Sequence, residues 1–190
     1  MEDFKEDIKN ALKTLKAGGI ILYPTDTIWG LGCDATNEAA VKRIFELKHR
    51  SDAKSMLVLT DSIFKVERVV DEVPEVAYSL VECADKPLTI IYDGAKNLAP
   101  NLIAEDGSVG IRITNEAFSK KLCEEFRIPI VSTSANISGE PSPHNFSEVS
   151  EAIKAGVDYI VSYRQDEKTS STPSSIIKLG KGGVVTIIRE

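Results

Sequence analysis

Apolar residues that recur every three or four positions predict several helices along the chain. In residues 3–17, Phe4, Ile8 and Leu15 fall on one helical face, and Asp3 and Glu6 have the spacing of a capping box. The same periodicity predicts further helices at 37–48, at 61–86 in two pieces broken near Pro74, up to Phe126 behind an Asn115 cap, and after Asn145.

Short apolar runs bounded by glycine, proline or small polar residues predict the strands. These runs lie at 20–23, 55–60, 88–92, 108–114, 130–131, 158–163, 174–179 and 184–189. The last two flank a Gly-Lys-Gly-Gly turn that lacks the spacing of a Walker A loop, so they predict a terminal hairpin. Because helices and strands alternate without a linker, we expect residues 1–190 to form a single α/β domain on a twisted mixed β-sheet with flanking helices.

Composition limits the classes of function. The net charge of −6 argues against broad non-specific nucleic-acid binding, although it leaves a local basic pocket open. No apolar run approaches the roughly 20 residues of a membrane span, and the acidic N-terminus is unlike a secretory signal. The three cysteines are far apart and odd in number, which favours reduced thiols and a cytoplasmic protein. With two histidines, the sequence offers no histidine-based metal cluster.

The stretch from Tyr23 to Ala35 has the strongest local signal. An apolar run ends at Pro24, and small polar residues, two glycines and the single tryptophan of the chain follow. Proline fixes φ and removes a backbone donor, so this pattern predicts a buried strand that opens into a loop. In open α/β sheets such a loop is a ligand site, whereas the alternative is an ordinary strand-to-helix connection.

Cationic residues follow the second helix. Lys48 continues the apolar stripe of that helix, and Arg50 and Lys54 come shortly after it. Lysine at such a position usually buries its stem and keeps the amine in water. The alternative is a cation directed into a site beside the end of the helix.

Two later strands carry polar residues of the same kind. Arg112 lies inside a short β-run, where a buried guanidinium needs either an anionic ligand or a structural carboxylate. The strand at 130–131 runs directly into a loop with Ser134 and Asn136, and such loops bind anions through hydroxyl and backbone N–H groups. With the Thr27 loop and the Lys48/Arg50 turn, these segments indicate a pocket for a phosphate-bearing ligand without a P-loop.

The motifs together resemble the YrdC/TsaC family of threonylcarbamoyl-AMP synthases, in its short form. The family's strand-end signature is similar to Tyr23–Ala35, and its Lys-x-Arg…Ser-x-Asn pattern is matched by Lys48, Arg50, Ser134 and Asn136. The similarity covers essentially the whole chain, with two departures: the segment 84–89 keeps only the last proline and the threonine of the family's Pro-Gly-Pro-x-Thr turn, and Ser55 replaces a proline.

The resemblance implies a fold, a reaction and a set of residues. The fold is a YrdC-like sheet with a concave ligand cavity, and the reaction joins L-threonine, bicarbonate and ATP into threonylcarbamoyl-adenylate and pyrophosphate. Lys48 and Arg50 are the implied catalytic residues. The implied nucleotide-binding residues are Lys48, Arg50, Lys54, Ser108, Asn136, His144 and Arg189. The implied threonine-binding residues are Thr27, Arg112, Ser134 and Ser174.

The same resemblance implies Mg²⁺ with the nucleotide and no protein metal ligand that we can name. It implies a product used to form threonylcarbamoyladenosine in tRNA, with hand-off to the tRNA threonylcarbamoyl-transferase complex and weaker grounds for direct tRNA contact. Two alternatives remain: a carbamoyl-adenylate-forming relative, and an RNA-binding protein of the same fold without this activity. We expect Trp29 to pack the loop and Asp26 to have a structural role.

Overall fold

The computed structural model describes residues 4–50, 56–168 and 171–190. The helices are α1 (Lys5–Lys16), α2 (Glu38–Leu47), α3 (Ile63–Val66), α4 (Glu75–Cys83), α5 (Ala117–Phe126) and α6 (Glu151–Gly156). The strands are β1 (Ile21–Tyr23), β2 (Gly30–Gly32), β3 (Leu57–Thr60), β4 (Leu88–Tyr92), β5 (Val109–Ile113), β6 (Ile130–Ser134), β7 (Tyr159–Ile160), β8 (Ser175–Leu179) and β9 (Val185–Arg189).

The strands form a mixed sheet, as the sequence predicts. Their order is β7-β1-β2-β6-β3-β5-β4-β8-β9. The pairs β7/β1, β3/β5 and β4/β8 are parallel, and the other neighbouring pairs are antiparallel. The predicted terminal hairpin is therefore confirmed as β8 and β9.

Helices cover both faces of the sheet. On one face α1 and α5 pack over a core that contains Phe4, Tyr23 and Leu59. On the other face α2, α3 and α4 pack over a core that contains Leu22 and Val58. Successive strand residues thus enter opposite cores, which is the period-two alternation of a sheet buried on both sides.

The stretch after Pro24 contains a strand that the sequence pattern misses. β2 pairs antiparallel with β1 and with β6, so the stretch is a hairpin loop and not a strand-to-helix connection. Glycine disfavours strands, and a Gly-Leu-Gly run gives no β-signal. The close approach of β2 to its neighbours requires glycine at position 32, because a Cβ there would lie 2.6 Å from Cε1 of Tyr23 and 3.0 Å from the carbonyl oxygen of Val131.

The residues that cap α2, α5 and α6 agree with the sequence prediction only in part. Asn37, the first residue of the predicted helix at 37–48, caps α2, and its side chain accepts from the Ala40 N–H. The Asn115 cap of α5 is wrong: Glu116 takes this role and accepts from the N–H groups of Phe118 and Ser119. Asn145 caps only a 3₁₀ turn, while α6 begins behind Ser150. The Asp3 capping residue lies outside the described residues.

One end of the α1/α5 face of the sheet lacks a covering helix. Ser132 pairs with Leu57 and Leu57 with Gly110, so these side chains lie on the face that also carries Leu59 and Ile130. Arg112 pairs with Leu59 and with Thr89 on the same face. The helices α1 and α5 cover the Leu59 end, and the strand positions beyond it form the floor of a cavity.

Candidate functional site

The cavity has a volume of about 260 Å³. It brings together six side chains that sequence reasoning proposed, from six separate segments of the chain. They are Thr27, Arg50, Arg112, Ser134, Ser174 and Arg189. The remaining lining residues are Ile28, Gly30, Leu57, Ser132, Thr133, Ser142, Pro173 and Ile176.

The cavity is cationic although the chain is acidic overall. Its charged lining residues, within the part of the chain that the structure describes, are Arg50, Arg112 and Arg189, and none of them is a carboxylate. Hydroxyl groups from Thr27, Ser134 and others complete the polar wall, while Leu57 and Ile176 form an apolar floor. Guanidinium and hydroxyl donors around a small cavity favour an anionic ligand.

A hydroxyl network fixes the loop that carries Thr27. Thr25 Oγ1 donates to the carbonyl oxygen of Ile28 at 2.9 Å and accepts from the Thr27 N–H at 3.1 Å. The two threonine hydroxyl groups lie 3.0 Å apart. Arg164 Nη1 donates to the carbonyl oxygen of Thr25 at 3.0 Å. Local side-chain to backbone hydrogen bonds of this kind hold a turn in one conformation.

Arg112 is buried and forms an ion pair with the carboxylate of Asp26. Its Nη2 lies 3.1 Å from Asp26 Oδ1 and 3.4 Å from Thr25 Oγ1. Arg112 Nε and Asp26 Oδ1 are both buried without a hydrogen-bond partner among the described residues. Burial raises the pKa of Asp26, and the charge of Arg112 opposes this. The sequence left an anionic ligand and a structural carboxylate open, and the structure supplies the carboxylate while Arg112 still faces the cavity.

Arg189 and Ser174 form the opposite wall. Arg189 Nε and Nη2 donate to the carbonyl oxygen of Ser174 at 3.0 and 2.6 Å. The Ser174 hydroxyl lies 2.8 Å from Thr89 Oγ1. The terminal strand β9 therefore holds the start of β8 and contributes a guanidinium to the cavity.

The end of α2 separates Lys48 from Arg50. His49 has a φ of 52°, and its N–H bonds the Glu46 carbonyl while the Arg50 N–H bonds that of Phe45. This is a Schellman motif, with histidine at the left-handed position that glycine usually occupies. The chain reverses at His49, so Arg50 lines the cavity while Lys48 stays against the core.

Lys48 is 2% exposed, so the expectation that its amine stays in water is wrong. Nζ donates to the carbonyl oxygens of Ser134 and Asn136 at 2.5 and 2.6 Å. Burial, and next the charge of Arg50, lowers the pKa of Lys48 to about 8. The ammonium thus holds the loop that follows β6 from behind the cavity wall.

Asn136 also serves this loop. Its side-chain amide donates to the carbonyl oxygens of Ile137 and Glu140 at 3.1 and 2.7 Å. Its Oδ1 accepts from Lys48 at 3.4 Å. Asn136 is therefore adjacent to the cavity without being among its lining residues.

His144 and Ser108, two further predicted nucleotide residues, are not lining residues of the cavity. Exposed His144 lines a depression of about 10 Å³ that adjoins the cavity through Thr27. Ser108 donates to Asp106 Oδ1 at 2.5 Å and is not a lining residue. Lys54 lies outside the described residues.

Sequence reasoning missed several lining residues. Ser132 and Ser134 alternate on one face of β6, and period-two spacing from Ser134 was the signal for Ser132. Gly30 reaches the cavity because β2 pairs with β6, and nothing in the local sequence indicates that pairing.

Trp29 packs the loop, as the sequence predicts. It is 5% exposed, and its ring centroid lies 4.8 Å from that of Phe146. Over the described ranges, no group of three or more histidine, cysteine, aspartate or glutamate side chains is arranged to hold a metal ion. Within the same ranges no helix is long and apolar enough to cross a membrane.

Comparison of the sequence with known proteins gives a matching family model and curated relatives that share one name. The family model named for Sua5, YciO and YrdC, described as "Telomere recombination", matches residues 13–190. A Pseudoalteromonas translucida protein named threonylcarbamoyl-AMP synthase is 31% identical over 181 residues, covering 94% of this chain and 95% of that protein. A Coxiella burnetii protein of the same name is 32% identical over 142 residues, covering 74% and 76%.

Solved structures agree with the sequence comparison. P. abyssi Sua5 complexed with L-threonine is 30% identical with a TM-score of 0.80, covering 92% of this chain and 51% of that one, so the chain spans about half of it. E. coli YciO has a TM-score of 0.84 at 23% identity over 97% of this chain and 89% of that one, which supports the fold alone. The match of the family model to nearly the whole sequence decides the assignment: this chain belongs to the Sua5/YciO/YrdC family.

Proposed function

We propose that the chain forms threonylcarbamoyl-adenylate and pyrophosphate from L-threonine, bicarbonate and ATP. One observation carries the proposal: a small cavity in an acidic chain presents Arg50, Arg112 and Arg189 and no carboxylate among its described lining residues. The names of the relatives and the threonine-bound Sua5 support the choice of substrates.

The threonine end of the cavity is assigned to Thr27, Arg112, Ser134 and Ser174, all of which line it. Arg112 suits the carboxylate of the amino acid, because a guanidinium binds carboxylates in bidentate fashion. Its Nε is buried and has no hydrogen-bond partner among the described residues, so Asp26 and Thr25 satisfy the guanidinium only in part. Asp26 beneath it holds the guanidinium in place.

The phosphate end is assigned to Arg50 and Arg189. Lys48 and Asn136 support the cavity wall by holding the Ser134 loop, and a direct contact of either with phosphate stays a prediction. The cavity is smaller than the roughly 300–1,000 Å³ of most ligand pockets, so the nucleoside would extend beyond it. Roles for Lys54, Ser108 and His144 in holding that part also stay predictions.

The reaction needs positioning and charge stabilisation more than acid–base groups. Threonine and bicarbonate give a carbamate with loss of water, and a carbamate oxygen attacks the α-phosphorus of ATP while pyrophosphate leaves. Nucleophile, electrophile and leaving group are all anionic. Fixed guanidinium donors lower their mutual repulsion and stabilise the charge of the transition state.

Mg²⁺ would arrive as part of the ATP substrate. No carboxylate lines the cavity among its described residues, so this wall offers no hard oxygen anion as a ligand. Phosphate oxygens and water would then hold the ion, as is common for Mg²⁺ at nucleotide sites.

The product serves the modification of tRNA to threonylcarbamoyladenosine in the cytoplasm, by hand-off to the tRNA threonylcarbamoyl-transferase complex. The product is a reactive mixed anhydride, so direct transfer to the consuming enzyme would protect it from water. Direct tRNA contact is not required for this step, and the net charge of −6 disfavours a broad RNA-binding surface.

Pyrophosphate release from ATP tests the proposal. We expect release that requires both L-threonine and bicarbonate, with threonylcarbamoyl-adenylate identified by mass spectrometry. Release with carbamoyl phosphate in place of threonine and bicarbonate would favour the carbamoyl-adenylate alternative. No release under either condition from a folded protein would refute the proposal and favour the RNA-binding alternative, which a tRNA binding measurement then checks.

A further inference from the structure

A second cavity, of about 290 Å³, lies on the opposite face of β4 and β5. On β5, Ile111 and Ile113 line it, whereas Arg112 between them lines the first cavity, here called the arginine cavity after Arg50, Arg112 and Arg189. The apolar walls of the second cavity come from α3, α4, β4 and β5: Val66, Val81, Leu88, Ile90, Ile111 and Ile113.

The polar end of the second cavity is anionic. Its charged lining residues, within the described ranges, are Asp26, Asp85, Glu116 and one cation, Lys86. Glu116 is already engaged, because it caps α5 and lies 3.5 Å from Arg164 Nη1. Asp85 is exposed to solvent. Asp26 is paired with Arg112 at 3.1 Å but caps no helix, so of the two largely buried carboxylates it keeps more acceptor sites for a ligand.

Asp26 has unused acceptor capacity. Its Oδ1 is buried and lies 3.1 Å from Arg112 Nη2, so the ion pair occupies that oxygen, while the side chain as a whole is 14% exposed and lines the cavity. A carboxylate has about four acceptor sites, and buried polar groups are nearly always paired. An incomplete carboxylate at the end of an apolar cavity is the arrangement that receives a donor from a bound molecule.

We propose that the second cavity binds a small aliphatic molecule that carries an ammonium group, with the ammonium group on Asp26. The volume lies at the lower end of the roughly 300–1,000 Å³ of small-molecule pockets, so the ligand is small. The apolar walls favour a hydrocarbon body, and the excess of carboxylates at the polar end favours a cation.

The two cavities share the Arg112–Asp26 pair. An ammonium group on Asp26 partly neutralises the carboxylate. Arg112 then attracts an anion in the arginine cavity more strongly. Binding of the amine should thus strengthen anion binding, and by linkage the anion should strengthen amine binding by the same factor.

Methyl NMR of the complete chain with 3-methylbutan-1-amine tests the site, with 3-methylbutan-1-ol as the neutral probe of the same shape. We expect saturable shifts at the methyl groups of Val81, Leu88 and Ile113 with the amine, and weaker binding of the alcohol. Asp26→Asn should weaken binding of the amine roughly tenfold or more, because the charge of the carboxylate is lost, and should leave binding of the alcohol unchanged. Equal amine binding by wild type and Asp26→Asn, or no saturable shift, would overturn the proposal.

Val81→Phe is the matched second variant, since it fills the wall without touching Asp26. It should abolish binding of both probes while the methyl signals of Leu15 and Leu122, in the core of the other face, keep their positions. Retained amine binding in this variant would place the amine elsewhere and overturn the site. Inorganic pyrophosphate titrated with and without the amine measures the coupling, for which unchanged pyrophosphate affinity is the contradicting result. None of these readouts depends on threonylcarbamoyl-adenylate synthesis.

Discussion

The buried amine of Lys48 makes a pH-dependent prediction that can be worked from the structure. The amine contacts the carbonyl oxygens of Ser134 and Asn136, and the side chain is 2% exposed. Lys48→Met keeps the length and apolar body of the side chain and removes the ionisable group. The variant leaves two carbonyl oxygens without their donor, so we expect it to be less stable than the wild type at neutral pH.

The direction of the pH dependence follows from the lowered pKa. Burial, and next the charge of Arg50, lowers the pKa of Lys48 from 10.5 to about 8. Below about pH 8 the amine carries its proton in both states, so it adds no pH dependence to stability. From about pH 8 to 10.5 the unfolded chain retains a proton that the folded chain has released, and the free energy of unfolding rises with pH. One pKa unit corresponds to about 1.4 kcal/mol, so the full gain is about 3 kcal/mol.

Urea unfolding of wild type and Lys48→Met from pH 7 to 10.5 measures this gain. Subtracting the two series cancels the tyrosine and thiol titrations, and the wild type should gain about 3 kcal/mol relative to the variant. Lys42→Met is the matched control from α2, because the side chain of Lys42 is 73% exposed. The difference in free energy of unfolding between this variant and the wild type should not change with pH. A flat difference for Lys48→Met as well would show that the folded chain does not lower the pKa of this amine, and the reasoning would fail.

Three further substitutions test the site and its supports. Arg50→Ala should reduce pyrophosphate release on the order of 30- to 1,000-fold, which corresponds to about 2–4 kcal/mol of transition-state stabilisation, with unchanged thermal unfolding; retained turnover would remove Arg50 from the site. Gly32→Ala should cost about 1–3 kcal/mol in urea unfolding, because its Cβ would lie 2.6 Å from the Tyr23 ring, and a neutral result would mean that the β1–β2 hairpin yields easily. His49→Gly should raise the free energy of unfolding by up to about 1 kcal/mol, since the φ of 52° suits glycine, and a loss would show that the imidazole contributes more than the backbone strain costs.

Periodicity made most of the fold predictable and also explains the exceptions. The pattern 3–17 became α1 and the break near Pro74 separates α3 from α4, because each amphipathic face meets a core over several turns. β2 gave no signal, since its three residues are Gly-Leu-Gly and its stability comes from two neighbouring strands that are distant in sequence. The capping error at α5 has a similar cause: Asn115 and Glu116 both suit the start of a helix, and only the tertiary position of the carboxylate decides between them.

The candidate site was predictable in its residue types more than in their contacts. Arg112 could be named because it lies inside a short apolar run, Arg50 because it follows the second helix, and Arg189 only through the family resemblance. The cavity contains all three. The sequence could not show that the Lys48 amine would donate to backbone carbonyls of the Ser134 loop. That contact depends on the left-handed turn at His49 and on how deeply α2 lies in the core. A lysine on an apolar stripe is compatible with a water-exposed amine and with a buried one, and only the packing of the Ser134 loop against the end of α2 separates the two.

The order of the three residues Thr25, Asp26 and Thr27 explains how one short loop serves two cavities. The chain bends at these residues: Thr27 lines the arginine cavity, whereas Asp26 contacts Arg112 from behind and lines the second cavity. A shift of one position would place the carboxylate among Arg50, Arg112 and Arg189, where it would cancel a charge that an anionic substrate needs. In the observed register the same carboxylate fixes Arg112 from behind, and the cavity keeps its positive charge.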